Sequence, residues 1–263
     1  MAEITAQIEL QERPAIVEDA LLNGRLQLHQ FAQGHRAGTD AVLLAAAASS
    51  GLSGLALDIG AGVGAAGLAL ALRLEDLRLG LVENDGEIAA LARANSALNG
   101  VAERVLVYEA DVLSPASRRK AGLTDGAADL VITNPPFLDP GRARLSPQPH
   151  KMRAHAMAES GTHALGAWIK ACLALLKPKG IFIMIHRADR LGEIIAACEG
   201  RAGALTILPV HPRATEPAVR ILVRARKGSR APLVIVPALV LHEGDRFTPQ
   251  AEAIHRGEAL IEW

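Results

Sequence analysis

Asn134-Pro135-Pro136-Phe137 closes the apolar run Asp129–Thr133 and brings together a side-chain amide, two residues without an N–H, and one of only four phenylalanines in 263 residues. Proline fixes φ and cannot donate to a β-ladder, so a strand must stop here whatever else the motif does. The same groups could also grip something flat and polar: an amide oxygen accepts hydrogen bonds and an aromatic ring stacks on a planar face. Between a strand terminator and a grip, the residues upstream decide.

The first of these is the stretch LDIGAGVGAAG, Leu57–Gly67. Glycines at a strand-to-helix turn permit φ > 0 and let the backbone approach a ligand, with helix N-terminal N–H groups aimed at it. Gly62-x-Gly64-x-x-Gly67 fits a dinucleotide fingerprint, with Glu83 about 20 residues on to meet a ribose. Asp58-x-Gly60-x-Gly62-x-Gly64 fits an S-adenosylmethionine loop equally well, and the glycines alone do not separate the two. Three further features favour S-adenosylmethionine. Asp58 stands where a carboxylate faces a ligand carrying an ammonium and a sulfonium. Asp111 ends a later strand, placed to accept from an adenine amino group. Asn134 ends the strand after that.

These residues need a scaffold that brings strand ends together. Short β-rich runs alternate with helical ones: strands Leu55–Gly60, Leu77–Glu83, Arg104–Asp111, Ala128–Asn134 and Gly180–His186, and helices Ala65–Leu74, Gly86–Asn99 and Ala164–Leu176. Apolar strands separated by helices imply an α/β fold, Rossmann-like, with a mostly parallel seven-stranded sheet and helices on both faces. The last two strands, Ala204–Val210 and Ala218–Arg226, are joined by HPRATEP, too short for a crossover helix, and are expected as an antiparallel pair at one edge. Glu83, Asp111 and Asn134 then sit at carboxyl ends of the strands, where open α/β sheets bind ligands. Residues 1–53 are expected as an N-terminal cap with a helix N-capped near Thr39 or Asp40, residues 54–230 as the core, and residues 231–263 as extended segments and a short final helix. The stretch Leu138–Ser160 is expected as a long loop.

Composition sets wider limits. Hydrophobic residues make up 50% and aromatics 3%, so the core must be built from Ala, Leu, Val and Ile. A formal net charge of zero argues against a uniformly basic surface, though not against local basic patches. Cys172 and Cys198 lack a C-x-x-C partner and are expected as buried thiols, with no metal site. An acidic N-terminus and an apolar run Ala41–Ala48 well short of the roughly 20 residues of a membrane span point to a cytoplasmic protein without membrane contact. The oligomeric state stays open.

With the loop, the acids and Asn-Pro-Pro-Phe in place, the chain resembles the class I S-adenosylmethionine-dependent methyltransferases of the N-P-P-[YF] type, and among them the bacterial tRNA(Val) adenine-37 methyltransferases. HRAGTDAVLLAA (His35–Ala46) resembles that family's segment before the core, which closes over the cofactor. HPRATEPAVRILVRARKG (His211–Gly228) resembles its C-terminal strand pair. The resemblance implies a cofactor set of Arg36, Thr39, Asp40, Asp58, Gly60, Ala61, Gly62, Gly64, Glu83, Asn84, Asp111, Val112 and Asn134. It implies Asn134, Pro135, Pro136 and Phe137 as the catalytic motif and a tRNA as the substrate.

The chemistry is consistent with those roles. The exocyclic nitrogen of adenine is a poor nucleophile because its lone pair is delocalised, and acceptors for its two protons favour a more tetrahedral nitrogen. Asn134 offers one acceptor, and the backbone carbonyl of Pro135, by resemblance, the second. No dedicated general base is needed, because the methylated nitrogen is cationic and acidic. Phe137 would stack on the base. Cationic contacts to phosphate are expected from the loop carrying Arg142, Arg144, Lys151 and Arg153, with weaker candidates in Ser117–Lys120 and in Arg220, Arg224, Arg226, Lys227 and Arg230. Where the family carries an Arg-His-Glu run after this loop, the chain has RAHAMAE. Transfer to a protein glutamine amide poses the same acceptor problem and stays open, as do, more remotely, a dinucleotide-dependent oxidoreductase and a non-catalytic RNA-binding protein.

Overall fold

Side-chain alternation along the strands decides which helices lie on which face. The computed structural model describes residues 15–34, 36–136 and 163–263. Its elements begin with a hairpin, β1 (Ile16–Leu21) and β2 (Leu26–Phe31), followed by α1 (Thr39–Ala46), β3 (Gly54–Ile59), α2 (Ala65–Arg73), β4 (Leu77–Glu83) and α3 (Gly86–Leu98). Next come β5 (Val105–Glu109), α4 (Pro115–Lys120), β6 (Ala128–Thr133), α5 (His163–Leu175), β7 (Leu176–Arg187) and α6 (Leu191–Cys198). The chain closes with β8 (Ala202–Arg213), β9 (Arg220–Lys227), β10 (Val234–Ile235), β11 (Leu239–Glu243), β12 (Arg246–Phe247) and α7 (Pro249–His255).

On β6, Leu130 and Ile132 join one apolar cluster while Val131 joins the other; on β7, Ile183 and Ile185 part from Phe182 and Met184 in the same way. The first cluster takes in α1 and α2, the second α5 and α6, so the sheet is covered on both faces as a parallel sheet requires. Six consecutive residues of α1, Ala41–Ala46, are buried. Small alanines let this helix pack closely, which an aromatic-poor sequence needs.

The strand order is β12-β11-β8-β9-β7-β6-β3-β4-β5, with β10 paired to β8, ten strands in all. The seven expected core strands are present, with β9 antiparallel to both β7 and β8. The sheet is larger than seven because the C-terminal segment adds three short strands outside β8, so the antiparallel pair does not end it. From β3 the chain goes outward through β4 and β5, then returns to lay β6 on the other side of β3. This reversal is the switch point at which such sheets form a crevice.

Two expectations need correction. Helix α1 is N-capped by Gly38 without a side-chain bond, not by Thr39 or Asp40, which lie within its first turn and are drawn to partners from the C-terminal part of the chain. The N-terminal cap also contains a hairpin that the sequence reading did not resolve. Cys172 and Cys198 are buried free thiols, and burial pushes both upward, Cys198 to about 11. The Leu138–Ser160 stretch lies outside the described residues. Among the described residues, no helix is long and apolar enough to cross a membrane.

Candidate active site

Parallel register places the expected residues at one end of adjacent strands. Ile59 pairs with Val82 on one side and Thr133 on the other, so Gly60, Glu83 and Asn134 each stand one residue further, side by side. Glu83 pairs with Glu109, which puts Asp111 just past the end of β5. Four neighbouring strands thus present a glycine loop, two acids and the amide along one edge.

The loop itself is shaped by close approach. Gly60 and Ala61 N–H groups both donate to Val82 O, at 2.9 and 3.0 Å, and Gly64 N–H donates to Ala61 O at 2.9 Å. Gly62 has φ +58, and a Cβ added there would meet nothing within 4 Å, so its surface faces open space. At Gly67 a Cβ would come within 2.5 Å of Leu81 Cδ2 and 3.1 Å of Asp58 Oδ2, so only glycine lets α2 settle on β4 and the carboxylate.

Asp58 is buried at 2% exposure and accepts from Gly67 N–H at 2.9 Å. Burial raises its pKa to about 7; the Gly67 hydrogen bond opposes the shift and the charge of Glu83 adds to it. Glu83 is anchored at both oxygens: Oε2 accepts from Gly62 N–H at 2.9 Å, and Oε1 from Asn84 and Asp85 N–H at 2.8 and 3.0 Å. Of a carboxylate's roughly four acceptor sites, one remains on Oε2. Asp111 forms a turn, accepting from Leu113 N–H at 2.9 Å, while its own N–H donates to Ser117 Oγ at 3.0 Å. Val112 beside it is buried, its carbonyl held by buried Arg118 at 2.7 Å.

Asn134 Oδ1 is buried and has no hydrogen-bond partner among the described residues. A buried carbonyl oxygen left unpaired costs free energy, so its place at a strand end beside the loop marks an acceptor waiting for a donor. Pro135 is buried and Pro136 exposed. Immediately before them, Thr133 Oγ1 donates to Ile59 O at 2.8 Å and accepts from Trp168 Nε1 at 3.0 Å. Phe137, Arg142, Arg144, Lys151 and Arg153 lie outside the described residues.

The segment before the core is tied down rather than open. Arg36 pairs with Asp19. Asp40 accepts from Arg220 Nε at 3.0 Å, and Thr39 Oγ1 lies 3.1 Å from His255 Nε2. His255 Nδ1 is 2.7 Å from Ala251 O, which can only accept, so in the neutral ring Nε2 accepts from the threonine hydroxyl. Arg220 pairs with Arg187 at the carboxyl end of β7, so α1 starts at the same end of the sheet as Asn134. The two lesser basic clusters are divided: Arg118 is buried, Arg224 sits over the Trp263 ring at 4.7 Å and Lys227 binds the carbonyls of Ala174 and Leu176, while Arg119, Lys120, Arg226 and Arg230 are exposed.

The residues present fit S-adenosylmethionine. They combine a carboxylate pair that a cation would relieve, an open glycine loop and an orphaned acceptor. The sequence reading missed Thr133, Trp168 and His255. Thr133 could have been found from its place next to Asn134; no local signal pointed to the others.

A family model for the methyltransferase small domain matches residues 31–165. The chain is 33% identical over 196 residues to the tRNA1(Val) (adenine(37)-N6)-methyltransferase of Porphyromonas gingivalis, covering 73% of this chain and 72% of that one. The enzyme of the same name from Dickeya chrysanthemi is 28% identical over 252 residues, covering 90% and 94%. A crystal structure from Agrobacterium tumefaciens, described as a predicted O-methyltransferase, superposes with a TM-score of 0.71 at 36% identity, covering 84% of this chain and 98% of that one. The glycine loop, the acids at the strand ends and these similarities together place the chain: it belongs to the methyltransferase small-domain family and is an S-adenosylmethionine-dependent methyltransferase.

Proposed function

We propose that the enzyme methylates the exocyclic amino group of an adenine in RNA, adenine 37 of a tRNA, the reaction named for its P. gingivalis and D. chrysanthemi relatives. The observation that carries this reading is the buried Asn134 Oδ1 just past the end of β6, without a hydrogen-bond partner among the described residues. It accepts a hydrogen bond from one amino N–H of the base and the Pro135 carbonyl accepts one from the other, which localises the nitrogen lone pair outside the ring plane. The prolines keep both acceptors out of the ladder, and Phe137 stacks on the base.

When bound, S-adenosylmethionine supplies an electrophilic methyl group on a sulfonium. Glu83 accepts from a ribose hydroxyl with its remaining site, Asp111 accepts from the adenine amino group beside Val112, and Asp58 faces the cationic end behind Gly60–Gly64. Arg36, Thr39 and Asp40 belong to the covering segment. In this reading residues 54–230 are the methyltransferase core, 1–53 cover the cofactor and 231–263 pack on the core. Arg142, Arg144, Lys151 and Arg153 bind substrate phosphates, and the enzyme acts in the cytoplasm.

A hydroxyl acceptor is the second reading, favoured by the description of the A. tumefaciens protein. Incubation with methyl-labelled cofactor and either undermodified tRNA or total protein, followed by nucleoside analysis, tests the assignment. The expected product is N6-methyladenosine in tRNA. Label in ribose hydroxyls, or in protein alone, would overturn it.

A further inference from the structure

We infer that Asn95 is a positioning residue that couples the β1–β2 hairpin to the cofactor loop, so that hairpin order and cofactor affinity are linked; this rests on the cofactor reading above. Asn95 is wholly buried on α3. Its Oδ1 accepts from His29 N–H at 2.7 Å, and its Nδ2 donates to His29 O and to Val63 O, each at 3.0 Å. Only an oxygen can meet that N–H and only an NH2 group can meet two carbonyls, so the amide's orientation is dictated by its partners.

One turn later Asn99 repeats half of the device, accepting from Gln27 N–H at 3.0 Å and donating to Gln27 O at 2.7 Å. Residues four apart on a helix are separated by about 6 Å along its axis and residues two apart on a strand by about 6.6 Å, so the two amides serve as rungs of a ladder for β2. Asn95 alone reaches on to Val63, between Gly62 and Gly64 of the loop.

Side chains of the hairpin hold the covering segment. Gln30 Oε1 accepts from Ala37 N–H at 2.9 Å, and Asp19 pairs with both Gln30 and Arg36. A single buried amide therefore joins the loop peptide to β2, whose Gln30 holds Ala37 and, through Asp19 of β1, is connected to Arg36. A ligand that orders either one orders the other.

Hydrogen exchange of the wild-type chain, with and without saturating S-adenosylhomocysteine, tests this directly. Amides of β2 are expected to gain protection together with those of the loop. Protection confined to the loop would overturn the coupling, and no binding at all by calorimetry would sink the cofactor reading and the coupling with it. Variants give a second arm. Asn95→Ala is expected to weaken S-adenosylhomocysteine and raise the cofactor KM about tenfold with kcat at saturation within about twofold, because it leaves the Val63 and His29 groups unpaired. Asn99→Ala removes the other rung but leaves the Asn95 link to Val63 in place, so it is expected to weaken affinity clearly less than Asn95→Ala does. Equal losses in the two variants would contradict the assignment.

Discussion

Trp168 donates its indole N–H to the Thr133 hydroxyl at 3.0 Å, and that hydroxyl bridges β6 to β3 through Ile59 O at 2.8 Å. Both side chains are buried, and the indole lies where a Cβ on Gly60 would come within 2.9 Å of it. The relay pins the residue before Asn134 to the residue before Gly60, fixing acceptor against cofactor loop. Thr133→Val breaks both bonds and leaves an indole N–H buried without a partner, at about 1–3 kcal/mol. The expected outcome is a Tm lowered by several degrees and a kcat lowered about tenfold with cofactor Kd within about twofold. Steady-state kinetics with calorimetry on the purified variant checks it; an unchanged kcat would remove the relay from the account.

Asp58 gives the apoprotein a pH signature. Its folded pKa is about 7, mainly from burial, against an ordinary aspartate value of about 4. Between those values the native state holds a proton that the unfolded chain has released, so this group lowers stability progressively as pH rises from about 4 to about 7. His186 acts oppositely: burial lowers its pKa from 6.5 to about 4, so its contribution rises with pH across that interval. In Asp58→Asn the first slope disappears and the second remains. Thermal denaturation should show Tm climbing more steeply with pH up to about 6.5 in the variant than in the wild type; parallel profiles would contradict the assignment.

Glu83 serves the loop and, in the proposed function, the ribose as well. Its oxygens take N–H donors from Gly62 on one side and from Asn84 and Asp85 on the other. Glu83→Gln must turn an NH2 group towards one of these donor sets, so either Gly62 of the loop or the Asn84–Asp85 turn after β4 loses its acceptor. Cofactor affinity measured by calorimetry should fall between about 10- and 100-fold, consistent with a lost charge-assisted bond and an unpaired N–H. An affinity within about twofold of wild type would mean that the loop does not depend on this carboxylate.

Most of the architecture could be read from the sequence because apolar strands and amphipathic helices carry their own periodicity. The seven core strands and the alignment of Gly60, Glu83, Asp111 and Asn134 follow from it. The hairpin was harder: β2 reads LQLHQF, and its outward backbone is satisfied by the amides of Asn95 and Asn99, 66 and 72 residues away. The three added strands escaped for a similar reason, since β10 and β12 are only two residues long and exist by pairing with β8 and β11. The cap of α1 misled because Thr39 and Asp40 are good capping types, yet His255 and Arg220 engage them instead. No local pattern encodes such distant partners.

The account rests on Asn134 as an acceptor for the amino group being methylated. Asn134→Ala, assayed for transfer of labelled methyl to undermodified tRNA alongside calorimetric binding of S-adenosylhomocysteine, tests this most directly. Transfer should fall by about 100-fold or more, the scale of losing a preorganised transition-state partner, while cofactor affinity stays within about threefold. Transfer at the wild-type rate by a folded, cofactor-binding Asn134→Ala enzyme would contradict the account.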